Sequence, residues 1–129
     1  MNLFYISGIN NLTMSALECA EGSANCETVR NFLLPTTIPA LRDTGLAAVG
    51  VNSSLDWRVF YHDNLGYISQ IQGNASGSNS GSRIGGQGLN GSDITAVNIN
   101  SIQNNIHVFY TDMLTEALFT LQLQGNWTA

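Results

Sequence analysis

Lysine is absent from this 129-residue chain, and its four basic residues are all arginine: Arg30, Arg42, Arg58 and Arg83. Only 10% of the residues are charged, and nine carboxylates bring the formal charge to −5. Nucleic acid is bound largely by lysine and arginine neutralising phosphates, so this balance argues against a nucleic-acid partner. An anionic membrane surface is disfavoured by the same sign. Long apolar runs are missing too. None approaches the roughly 18 residues of a membrane-spanning helix, so a soluble protein with no membrane partner is expected. Cysteine is scarce: Cys19 and Cys26 have six residues between them and no histidine nearby. That spacing does not fit a zinc site, which leaves a disulfide or two free thiols, and no cofactor is expected.

Catalytic signatures are equally thin. No Gly-x-Ser-x-Gly elbow occurs, and both histidines, His62 and His107, lie inside repeated strands. Asp63 and Asp112 superficially resemble a glycosidase pair, but they occupy equivalent positions of two repeats and should cap turns in separate units. A non-enzyme is expected.

What the chain has in abundance is Asn, Ser, Thr and Gly, an uncharged polar surface more often met outside cells. Five segments fit the glycosylation pattern: Asn11-Leu12-Thr13, Asn52-Ser53-Ser54, Asn74-Ala75-Ser76, Asn90-Gly91-Ser92 and Asn126-Trp127-Thr128. With the two cysteines they favour secretion. Met1-Asn2-Leu3-Phe4 lacks the basic start of a signal peptide, so the expectation is a leader upstream or a piece of a longer protein. A hydrophobic content of 43% suits one domain with a core.

The chain repeats itself. Trp57-Arg58-Val59-Phe60-Tyr61-His62-Asp63 returns as Ile106-His107-Val108-Phe109-Tyr110-Thr111-Asp112, and more faintly as Asn2-Leu3-Phe4-Tyr5-Ile6-Ser7. Phe4, Phe60 and Phe109 stand 56 and 49 residues apart, close to the spacing of propeller blades. Leu46–Val51 precedes the second copy as Ile94–Ile99 precedes the third, and Gly-Asn turns follow at Gly73-Asn74 and Gly125-Asn126. Repeat units of about 2–45, 46–93 and 94–129 follow from this, each a run of strands.

Within them, Leu12 to Leu17 alternates as a strand, and Asn64-Leu65-Gly66 marks a hairpin turn. Glu27–Leu34 reads equally as helix or strand, and Pro35 and Pro39 exclude a helix just beyond it. Glu116–Gln122 holds good helix formers, yet its parallel with Tyr67–Gln72 favours a strand. The Gly- and Ser-rich segment from Gly73 to Ser92 predicts a mobile loop with one weak edge strand near Ile84.

These residues resemble the fungal fucose-specific lectins, which are six-bladed β-propellers. Asp93-Ile94-Thr95-Ala96-Val97, Trp57-Arg58-Val59-Phe60-Tyr61-His62-Asp63, Gly66-Tyr67-Ile68-Ser69-Gln70 and Asn126-Trp127-Thr128 match the family's four recurring elements in order. The likeness covers most of residues 46–129 and faintly residues 2–16. It implies an all-β fold: a partial β-propeller of about three antiparallel blades, part of a six-bladed ring. It also implies a secreted, lectin-like carbohydrate-binding protein with glycans, notably fucosylated ones, as partners.

In that family fucose lies between adjacent blades, held by an arginine, a glutamate and an aromatic residue of the next blade. By resemblance Arg58 is the arginine, Gln70 stands where the glutamate would be, and Trp127 is the aromatic residue. The third copy offers His107 and Thr120 at the first two positions and the first copy Asn2 and Met14, while Ala75 replaces an equivalent tryptophan. No copy holds the full set, and Gln70 lacks the charge that strengthens a hydrogen bond to a sugar hydroxyl. The alternative is a propeller whose sugar sites have decayed, serving as a structural or protein-interaction module. Three blade units cannot close a ring, so a homodimer completing six blades, or a fragment of a longer propeller, is expected.

Overall fold

The computed structural model describes residues 2–8, 10–22, 24–35, 39–51, 56–74, 76–79, 81–99, 105–124 and 126–129. Asn52-Ser53-Ser54, Ala75 and Gly125, read above as a glycosylation pattern, a lost tryptophan and part of a turn, lie outside the described residues. Among those described there is no helix, and the strands form three antiparallel sheets, the blades of a partial β-propeller. The first blade is β1 (Asn2–Ser7), β2 (Asn11–Cys19) and β3 (Cys26–Leu33). The second is β4 (Leu46–Val51), β5 (Asp56–His62) and β6 (Tyr67–Asn74), with β7 (Gly77–Ser78) and β8 (Ser82–Gln87) both pairing to β6. β9 (Ile94–Asn98), β10 (Ile106–Thr111), β11 (Leu118–Gln124) and β12 (Asn126–Thr128) make the third.

The Phe-Tyr strands β1, β5 and β10 occupy equivalent places. Phe4 lies opposite Met14, Phe60 opposite Gln70 and Phe109 opposite Thr120. Side chains alternate between the faces of a strand, so each offers a phenylalanine row to one side and an aliphatic-tyrosine row to the other. Phe4, Ile6, Leu12 and Met14 of the first blade pack against Trp57, Val59, Tyr61 and Ile71 of the second. Phe60 and Ile68 of the second then meet Ile106, Val108, Tyr110 and Leu121 of the third. Both junctions are built alike: the phenylalanine row of one blade meets the aliphatic-tyrosine row of the next.

Pairing settles what the sequence left open. Residues from Cys26 to Leu33 run along β2 as a strand, and Cys19 and Cys26 are cross-strand partners joined by a disulfide. Leu118–Gln124 is a strand. The expected loop after Gly73 is corrected: it contains two strands, and Ile84 packs against the core between the second and third blades. Its glycines permit close approach here. A Cβ at Gly85 would sit 2.5 Å from Leu121 Cδ1, and one at Gly88 would sit 2.3 Å from His62 Nε2.

In the second and third blades the hairpin turn is anchored by its aspartate, as the repeat positions suggested. Asp63 Oδ1 accepts hydrogen bonds from the Leu65 and Tyr67 amides, and Gly66 supplies the positive φ of 83°. Asp112 Oδ1 accepts from the Thr115 amide and hydroxyl and from the Leu114 amide, which lower its pKa.

His62 beside that turn is fully buried, with Nδ1 3.2 Å from Thr44 Oγ1 and no hydrogen bond at Nε2 among the described residues. Burial holds its pKa below the ordinary value, outweighing the opposing pull of Asp63. The unfolded chain therefore takes up this proton more readily than the folded one. His62 supports the fold fully above its unfolded pKa, about 6.5, and that support is lost as pH falls toward the depressed folded pKa. The urea midpoint should drop between about pH 7 and pH 5.5, and His62→Gln should shrink the drop. Equal drops in the two proteins would refute this role.

Candidate functional site

β5 carries Asp56, Arg58 and Phe60 on the face turned toward the third blade, because residues two apart share a face. Gln70 on β6 lies directly across from Phe60, and Arg58 Nη1 donates a 2.9 Å hydrogen bond to Gln70 Oε1. Trp127, on the outer strand β12 of the third blade, meets Phe60 edge-on with ring centroids 5.7 Å apart. Its indole Nε1 is buried and has no hydrogen-bond partner among the described residues. Arg58, Gln70 and Trp127 are therefore gathered around Phe60 at the junction of the second and third blades. Arg58 is half-buried, and desolvation lowers its pKa. A guanidinium there remains a cation near neutral pH.

Arg58 also lines a cleft of about 540 Å³, whose walls include Asp56, Trp57, Gln72, Asn74 and Asn79. This brings a carboxylate and several amides to the same opening as the guanidinium. Sequence reasoning did not single out Asp56, Gln72, Asn74 or Asn79 as site residues. Asn and Gln are too common in this chain to stand out, and Asp56 reads as an ion-pair partner for Arg58 until the register of β4, β5 and β6 is known. Among the described residues Arg58 engages the side chain of Gln70, while Asp63 pairs with Arg83.

His107 and Thr120 are not brought to this group. They lie on the other face of the third blade with Phe109, the cross-strand partner of Thr120. His107 is half-buried, stacks on Phe109 at 6.4 Å and has Nε2 3.2 Å from Asn105 Oδ1; Thr120 is exposed. In the first blade, Met14 is buried against the second blade and Asn2 is exposed. Among the described residues no cluster of His, Cys, Asp or Glu could hold a metal ion.

The three sheets form a partial β-propeller, and solved structures share the fold. The structure of AofleA from Arthrobotrys oligospora matches with a TM-score of 0.76 and 20% identity over 98% of this chain. A mutant of AofleA with three arginines replaced by alanine matches at 0.73 and 18% identity. This chain spans 37% of the length of AofleA. A fucose lectin from Kordia zhangzhouensis, solved with methyl-fucoside, matches at 0.57 and 15% identity, over 97% of this chain and 94% of that one. No protein-family model matches the sequence, and no curated protein matches it.

Proposed function

We propose that this protein is a secreted, lectin-like carbohydrate-binding protein that takes a fucose-type sugar at the junction of its second and third blades. The observation that carries this reading is the grouping of Arg58 and Gln70 on one blade with Trp127 of the next around Phe60. Arg58 presents charged donors to sugar hydroxyls, and Asp56 in the adjoining cleft offers the charged acceptor that Gln70 lacks. The apolar sugar face rests on the aromatic surface, an arrangement of few polar groups on an apolar wall. The fold shared with a fucose lectin supports the same reading. Secretion is supported by the disulfide, the sequons and the uncharged polar surface.

Titration calorimetry with methyl fucoside tests the assignment. Losing hydrogen bonds from a charged group costs about 1.5–3 kcal/mol, so Arg58→Ala should weaken binding by about tenfold or more. His107→Ala should change affinity less than about twofold, because His107 lies on the other face of its blade. Equal, small effects from the two substitutions would move the site away from Arg58.

A further inference from the structure

The two outermost sheet faces repeat, in exposed form, the two surfaces that mate inside the molecule. At each internal junction a phenylalanine row, Phe4 or Phe60, is covered by the aliphatic-tyrosine row of the following blade, Val59 with Tyr61 or Val108 with Tyr110. Among the described residues no blade covers the next phenylalanine row, on the third blade: Phe109, with His107 stacked on it, shares that face with Val97 and Leu118, which are 43% and 73% exposed. The first blade presents the matching row in the same way. Leu3 and Tyr5 are the counterparts of Val59 and Tyr61, and Leu3 and Leu33 on that face are 50% and 62% exposed.

We propose that these faces dock on each other between two copies of this chain, the Phe109 face of each copy seating on the Leu3-Tyr5 face of the other. The occupant is a second copy because the complementary surface is already in the chain, and the mating geometry is that of the two internal junctions. Repeating it twice about a two-fold axis makes six blades, within the range of roughly four to eight in which propellers close. It also completes a third type of junction. His107 and Thr120 would then face Thr28 of the second copy, which pairs with Leu17 as Trp127 pairs with Leu123. That junction lacks both the guanidinium and the indole of the Arg58 site, so the ring carries one site of the Arg58 type per chain. The assembly stands whether or not sugar binds.

Multi-angle light scattering on the purified chain is the test, with far-ultraviolet circular dichroism to establish that each variant is folded. The wild type should have twice the 13.9 kDa mass of one chain. Val97→Asp and Leu33→Asp, one on each docking face, should each give a folded monomer. Leu65→Asp, on the β5–β6 turn, should remain a dimer. A wild type that stays monomeric at all concentrations would overturn the proposal, leaving the two faces to further blades of a longer chain. A dimer indifferent to both face substitutions, or an open series of larger oligomers, would overturn it as well.

Discussion

Phe60→Ala should lower the urea midpoint by more than about 1 M and abolish sugar binding in the same protein, given denaturant slopes of about 1–3 kcal/mol per M. Phe60 is fully buried, so truncation removes the ring from water-free packing and leaves a cavity; for Phe to Ala this costs about 3–5 kcal/mol. A domain of this size is stable by only about 5–15 kcal/mol. The position matters beyond its own burial because the ring belongs to the core joining the second and third blades and supports Trp127. Losing it should loosen that junction as a unit. Phe109→Ala, at the equivalent repeat position but on the open face of the third blade, should be milder in the monomer. A midpoint shift no larger than that of Phe109→Ala would mean that the junction is not packed as described.

Asp63→Ala should be nearly as damaging, by about 3 kcal/mol in the same assay, the low end for removing one partner of a buried ion pair. The Asp63 carboxylate is fully buried and satisfied on both oxygens. Oδ1 takes the Leu65 and Tyr67 amides, while Oδ2 takes Ser69 Oγ at 3.3 Å and Arg83 Nε at 2.5 Å. Arg83 in turn lies over the Tyr67 ring, 4.5 Å from its centroid, which ties β8 to β6. Arg83 is about one-third exposed, so water compensates part of its loss. Asp63→Asn keeps an acceptor for the two amides and should fall between wild type and alanine. Asp112→Ala should have a much smaller effect. Asp112 serves the same turn in the third blade, but on the surface and with no arginine among its described partners. Equal effects at the two aspartates would remove the argument for the Arg83 link.

The contrast between these aspartates marks how far the sequence could be read. Both were recognisable as turn residues, because the repeat set them in register after Phe-Tyr and a hairpin turn fixes its own local hydrogen bonds. That Asp63 would also anchor β8 was hidden, since Arg83 sits in a segment whose Gly and Ser content resembles a flexible linker. Composition measures ordering entropy, whereas Gly85 and Gly88 are there for close contact with Leu121 and His62, a property of the packed structure. The Phe-Tyr strands were legible for the opposite reason: a period of two buries one face whatever the partner. β3 was ambiguous because an edge strand exposed along much of its length has weak alternation, and only its pairing with β2 defines it.

The candidate site was legible in part. Arg58 and Gln70 belong to one hairpin, so their meeting follows from the register of β5 with β6. Trp127 reaches them from 57 residues beyond Gln70, through blade-to-blade packing that the repeat order implied. Asp56 and the amides around the cleft depend on three-dimensional proximity and left no pattern in the chain.

A glycan array probed with the purified, folded protein decides whether the junction at Arg58 takes a sugar. Retention on fucosylated glycans, displacement by free fucose, and loss of that signal in Arg58→Ala at unchanged circular dichroism are expected. Silence across every glycan, or binding that free fucose does not displace and Arg58→Ala does not weaken, would contradict the assignment.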